Sequence, residues 1–198
     1  MSEPVSGPIP EPTPVAAAEA ERQHPVQAAV VHFDAAVDRA LDRLRGNATA
    51  DRVFYTASEL ADFSLLWHLL ATARGVRRGG DLGGTARISA ALGIESALVI
   101  GPIKLLFRRS RPVSDVPRPH RLRQPKTTSF PSGHASAAAV FVAMTADDDL
   151  APVYAAAAAL VASSRIYVRI HHASDVVGGV AVGTALGLAM RRWLPWRG

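Results

Sequence analysis

The sequence contains no cysteine. Disulfides, thiolate metal sites and thiol nucleophiles are therefore excluded. Aromatic residues make up only 6 % of the chain, and none interleaves the basic stretch "RPHRLRQPK" as a base-stacking surface would require. No nucleic acid is expected as a partner. No unbroken apolar run reaches the roughly 20 residues usually needed to cross the hydrocarbon core of a bilayer. The opening stretch "MSEPVSGPIPEPTPVAAAEAERQHP" has neither the basic start nor the apolar centre of a secretory signal.

What the chain does have is segregation. Of its 198 residues, 48 % are hydrophobic and 20 % charged, and the two kinds occupy different stretches. The formal net charge of +5 is carried almost entirely by arginine. Such a surplus favours an anionic partner, whether nucleic acid, membrane surface or phosphorylated substrate. Residues 1–25, rich in Pro, Glu and Ala, cannot bury enough apolar surface to offset the entropy of ordering, and are expected to form a disordered tail.

Residues 26–45 place Val30, Phe33, Val37, Leu41 and Leu44 on one stripe, with Asp34, Asp38, Arg39, Asp42 and Arg43 elsewhere. This is the pattern of an amphipathic helix ending at Gly46, too polar to span a bilayer and suited to an interface or a partner helix. Thr56 and Glu59 read as a capping box for a helix over Leu60 to Ala73. Four further apolar runs follow: Ile88 to Ile103, Ala135 to Ala146, Leu150 to Ala162 and Val176 to Met190. Each alone could be a buried helix of a soluble protein. Five in sequence, mostly bounded by charges and rich in Gly and Ala, predict an all-α transmembrane bundle of about five spans behind the amphipathic helix. The expected division is a tail (1–25), an amphipathic helix and linker (26–55) and a membrane-embedded domain (56–198).

Three charged clusters interrupt the apolar runs. In "KLLFRRSRP", Lys104 and Arg111 are seven residues apart and could reach one anion, or could be an ordinary cationic anchor at a membrane edge. In "SFPSGHAS", Ser132 is a good N-cap, Gly133 lets an anion approach the backbone, and His134 stands in the first turn. A plain helix cap with an incidental histidine is the alternative. In "SSRIYVRIHHASD", Arg165 is followed six residues on by His171 and then, four further, by Asp175. That spacing suits a carboxylate holding one imidazole nitrogen while the other attacks. A solvated loop with a salt bridge would also produce it, but ionisable groups at membrane depth usually mark function. If the four helices from residue 88 onward each cross once, all three clusters converge at one end of the bundle.

Together the clusters resemble the signature of the type 2 phosphatidic acid phosphatase superfamily, K-x6-RP, PSGH and SR-x5-H-x3-D. The matching positions are Lys104, Arg111 and Pro112, then Pro131 to His134, then Ser164, Arg165, His171 and Asp175. The resemblance covers roughly Ile88 to Met190. It implies a metal-independent membrane lipid phosphatase that needs no cofactor. His171 would be the nucleophile forming a phosphohistidine, Asp175 would orient its ring, and His134 would protonate the leaving oxygen. Lys104, Arg111, Arg165 and the backbone near Ser132 and Gly133 would hold the phosphoryl oxygens. His172 is a rival nucleophile without a partner four residues on. His120, Arg108, Arg109, Arg118, Arg121, Arg123 and Lys126 are expected to touch headgroups or membrane, and Asp147 to Asp149 to form a solvated turn.

The implied substrate is a lipid phosphomonoester or diphosphate, such as phosphatidic acid, phosphatidylglycerophosphate or a polyprenyl diphosphate. The Ala/Arg-rich, short chain is similar to the actinobacterial decaprenylphosphoryl-ribose-phosphate phosphatases of cell-wall arabinan precursor synthesis. Fifteen of the 22 Lys and Arg fall on the tail and the expected active-site face, which by the positive-inside rule turns that face to the cytoplasm. A vanadate-dependent haloperoxidase would use the same residues. A non-catalytic lipid-binding protein is the reading from another class.

Overall fold

A computed structural model of the chain describes residues 25–113, 118–120, 122, 123, 125 and 127–194. The tail expected over 1–25 lies outside these except for Pro25, as do Arg121, Lys126 and Trp196. The described residues form helices without strands: α1 (Pro25–Asp42), α2 (Ala48–Leu60), α3 (Leu65–Arg77), α4 (Leu82–Leu98), α5 (Gly133–Met144), α6 (Ala151–Tyr167) and α7 (Ala173–Trp193).

The amphipathic helix α1 is present, and its inward face is the expected stripe only in part: Val30, Val37 and Leu41 are half-buried, Leu41 against the second core cluster, while Leu44 is exposed. Phe33 is 45 % exposed and Asp34, assigned to the outer face, is buried. The reason is polar: Asp34 accepts hydrogen bonds from Arg109 and from Ser174, and that demand sets the rotation of the helix. The helix after it was not foreseen. Asn47 caps α2 by accepting from the backbone N–H of Thr49 and Ala50 (3.0 and 3.1 Å). Thr56 and Glu59 therefore lie inside α2 and cap nothing, and the boundary placed at 55/56 cuts a continuous helix. The chain breaks instead at Asp62–Ser64, a single 3₁₀ turn in which Phe63 (φ 55°) and Ser64 (φ 58°) take the left-handed conformation.

α4 does not stop at its apolar run. It continues through a π-helical stretch, Val99–Ile103, and a last turn, Lys104–Leu106. Pro102 within that stretch lacks the N–H that the ordinary helix ladder needs. The combined segment Leu82–Leu106 has 25 residues, and α7 has 21, so both are long and apolar enough to cross a membrane. They exceed their apolar runs because flanking residues continue each helix, 82–87 and 104–106 in α4 and 173–175 and 191–193 in α7. α5 is apolar but shorter, at 12 residues.

α5 and α7 pack closely because α7 offers glycine where it meets the α5 backbone. A Cβ at Gly183 would collide with the carbonyl oxygen of Ser136, and one at Gly179 with that of Ser132. This contact brings the N-termini of the two helices together. A core of Trp67, Leu92, Val140, Phe141 and Tyr154 fills the bundle below them. A second cluster, Tyr55, Tyr167, Val168 and Ile170 with Leu41 and Phe54, joins α1 and α2 to the loop that carries His171. Phe54 stacks on Tyr167 at 4.2 Å between centroids. At the opposite end Asp148 is buried, not solvated as expected. It accepts from Arg74 Nε at 2.9 Å and Arg77 at 2.5 Å, and Asp147 pairs with Arg191.

Candidate active site

The site is built at the junction of α6 and α7. The loop leaving α6 folds back so that the backbone N–H groups of Ile170 and His171 both donate to the Arg165 carbonyl (3.2 and 3.1 Å). The left-handed Arg169 (φ 53°) makes this reversal. His171, only 3 % exposed, is thereby set beside the end of α6 and just before the start of α7.

Asp175 is the third residue of α7 and fully buried. Its Oδ2 reaches back to accept the backbone N–H of His172 at 2.9 Å, one half of a capping box. The helix start thus fixes the carboxylate. Oδ2 also accepts the Ser129 hydroxyl at 2.5 Å and lies 3.6 Å from His171 Nδ1. Oδ1 accepts Arg109 at 2.7 Å. Arg109 is therefore an inward-facing partner of Asp175 and not a headgroup contact.

On the other edge of the imidazole, Nε2 faces the Arg111 guanidinium at 3.2 Å. Arg111 is held by the carbonyls of Ile170, Thr127 and Thr128. Lys104, buried, donates to the Thr128 carbonyl at 2.8 Å. The two cations of "KLLFRRSRP" thus share one anchor, beside His171. Burial pushes the His171 imidazole down, contact with Asp175 opposes this, and the charges of Arg111 and Arg165 add to the fall, to about 3. The ring is held neutral, with Nε2 turned toward Arg111.

The "PSGH" segment meets the same place through α5. Ser132 occupies the N-cap position, yet its hydroxyl caps nothing and is buried without a partner among the described residues. Its N–H is spent on the Asp175 carbonyl at 3.0 Å, so only the amides from Gly133 onward head the helix with no partner inside it. His134 Nε2 lies 2.9 Å from Asp62 Oδ1. Burial raises the Asp62 carboxyl, but His134, Arg165 and Arg123 outweigh it and hold it below its ordinary value. Arg165 is 1 % exposed, donates to the Ser58 hydroxyl, and leaves its Nε unpartnered.

Sequence reasoning missed Asp34, Ser58, Asp62, Arg109 and Ser129. Three of these stand on α1, α2 and the turn after it, far in sequence from every motif. Arg109 and Ser129 lie within the motif segments, where spacing alone did not separate them from their neighbours. Arg118 is also not a free headgroup contact, since it donates to the carbonyls of Val168 and Arg169, and Arg123 lies over the Phe63 ring. His172, the rival nucleophile, serves as N-cap of α7.

The model of the PAP2 superfamily matches residues 85–198, more than half of the chain. The chain belongs to the PAP2 superfamily. Among solved structures it is similar to that of a transmembrane PAP2 type phosphatidylglycerolphosphate phosphatase from Bacillus subtilis, with TM-score 0.62 and 24 % identity over 89 % of each chain. That likeness shows the fold, an all-helical PAP2 fold. No curated protein matches the chain. The PAP2 match begins inside α4, whereas the structural likeness is too extensive to be confined to it, so α1 to α3 contribute to the PAP2 fold without carrying its sequence pattern.

Proposed function

We propose that this PAP2 protein is an integral-membrane phosphatase that hydrolyses a lipid phosphomonoester or diphosphate through a phosphohistidine. The observation that carries the reading is the environment of His171, a buried neutral imidazole with Nδ1 toward Asp175 and Nε2 toward Arg111. The proton sits on Nδ1, and the Nε2 lone pair attacks phosphorus. As the P–N bond forms, the P–O bond to the lipid or its headgroup breaks, and His134 gives that oxygen a proton. Positive charge on the ring is balanced by Asp175. Water then attacks the phosphohistidine, the P–N bond breaks, and His134 takes the proton of the attacking water. Lys104, Arg111 and Arg165, with the amides of Gly133 and His134, hold the non-bridging oxygens, over which charge spreads in such a transition state. Arg111 exchanges its contact with Nε2 for a phosphate oxygen when substrate enters. No step uses a metal ion.

Two observations bear on the lipid. The resemblance of this short, Ala/Arg-rich chain to decaprenylphosphoryl-ribose-phosphate phosphatases supports a polyprenyl substrate such as decaprenylphosphoryl-ribose 5-phosphate, in cell-wall precursor synthesis. The structural neighbour favours phosphatidylglycerophosphate. Undecaprenyl diphosphate fits the same chemistry. The excess of Lys and Arg on the site's face supports a cytoplasmic orientation.

The test is phosphate release from a panel of these lipids by detergent-purified protein, with acid-stable and base-stable phosphoprotein assayed separately. A base-stable, acid-labile phosphoryl group that His171→Ala abolishes is the expected result. Undiminished turnover by His171→Ala sinks the nucleophile, and loss of activity on chelation sinks the metal-free mechanism.

A further inference from the structure

Arg109 stands between two carboxylates. One of its terminal nitrogens donates to Asp175 Oδ1 (2.7 Å) and to the Ser174 hydroxyl (2.6 Å), and the other donates to Asp34 Oδ2 (2.6 Å). Asp34 in turn accepts the Ser174 hydroxyl at 2.9 Å and, with Oδ1, the Ser174 backbone N–H at 2.7 Å. Asp34 comes from α1, outside the segment that carries the family pattern. Both carboxylates are buried, Ser174 is half-buried, and Arg109 is only partly exposed.

A buried carboxylate costs free energy unless it is paired, and an arginine fork costs rotamer freedom unless both ends are held. The arrangement meets both demands. Arg109 occupies Oδ1 of Asp175 and so leaves Oδ2 as the oxygen that meets His171 Nδ1. Asp34 holds the far end of Arg109 and balances its charge, so that the guanidinium does not draw Asp175 away from the ring. From this geometry we propose that Asp34 and Arg109 are positioning residues for the hydrolysis, with α1 supplying the outer end of an Asp34–Arg109–Asp175–His171 relay. The inference rests on the phosphohistidine reading above.

Asp34→Asn is the informative change, because the amide oxygen still accepts the Ser174 N–H while the charge is lost. The rate of phosphohistidine formation in a single turnover is expected to fall about tenfold in Asp34→Asn and about 100-fold in Arg109→Ala, by analogy with the losses when hydrogen-bond partners of metal-bound side chains are removed. KM stays within about twofold, since neither residue touches substrate. The double variant is no slower than Arg109→Ala, because the two act as one unit. Added guanidinium ion restores part of the Arg109→Ala loss. A purely structural role would instead lower the thermal midpoint and the active fraction together and show no rescue.

Rates within twofold of the parent in both variants, with His171→Ala inactive, overturn the relay and spare the phosphohistidine. Additive losses, or losses that track the thermal midpoint, overturn it as well. If Asp34→Asn does not fold, Arg109→Ala alone decides, and failure of guanidinium to rescue it counts against the relay. Turnover by His171→Ala overturns both readings at once.

Discussion

His171 and Asp175 are not in direct hydrogen bond: Nδ1 and Oδ2 are 3.6 Å apart, and the Ser129 hydroxyl lies beside both, 3.5 Å from the ring nitrogen and 2.5 Å from the carboxylate. Asp175 therefore faces the imidazole while its lone pairs are spent on Ser129, His172 and Arg109. On the phosphohistidine reading, it orients the ring in the resting site by charge and proximity. The contact can shorten when positive charge develops on the ring, because an ionised donor makes a shorter, stronger bond.

Removing Asp175 should be far more damaging than removing Ser129. Asp175→Asn is expected to lower kcat by about 10⁴, the loss seen when a carboxylate orienting a catalytic histidine is replaced by amide. Ser129→Ala deletes one of several donors and should cost about tenfold. Steady-state kinetics on one lipid phosphate measures both. Equal losses would mean that Ser129 is the true partner of the ring.

Asp62 and His134 should reveal themselves through the leaving group. If His134 donates the proton, His134→Ala and Asp62→Asn slow hydrolysis of an alkyl lipid phosphate by about 10²-fold or more. An aryl phosphate, whose leaving oxygen needs no proton, should lose much less. The ratio of the two rates across variants is the readout, and an unchanged ratio would remove His134 from the acid role.

The depressed His171 gives stability a pH dependence of defined sign. Its ordinary value is 6.5 and its folded value about 3. Between these pH values the unfolded chain binds a proton that the folded chain does not, so stability falls as pH falls through that window. Thermal midpoints in detergent should drop from pH 6.5 toward pH 4, and the drop should be shallower in His171→Gln. Activity should show no acid limb from His171 itself in that range.

At the opposite end of the bundle, Asp148→Ala would remove the buried carboxylate that Arg74 and Arg77 share, leaving Arg74 with Asp81 and Arg77 with Asp149. Breaking a fully buried ion pair costs about 3–5 kcal/mol; with those second partners left and Arg77 38 % exposed, the loss is smaller, and the thermal midpoint should fall by a few degrees. The folded fraction should keep kcat/KM within about twofold, because this cluster is built from α3 and the turn after α5, away from His171. A large change in kcat/KM would show that the two ends are coupled.

Read alone, the sequence was enough to single out Lys104, Arg111, His134, Arg165, His171 and Asp175 and the apolar helices beside them. Those residues sit at or near helix ends, where apolar runs, Gly and Pro leave local signals, and a four-residue His–Asp spacing follows from one helix start. It also sufficed for an all-helical chain, since periodicity and small residues at α7 are properties of neighbouring positions. It did not reveal α2 with its Asn47 cap, the burial of Asp34 or Asp148, or the partners Ser58, Asp62 and Arg109. The Asn47 cap is a local signal, an N-cap asparagine before a helix. Each of the others depends on which distant side chain stands opposite, and no local pattern encodes that. Only the folded packing of α1 and α2 against the α6–α7 loop decides it, because a buried charge takes its place from its partner and not from its neighbours in the chain.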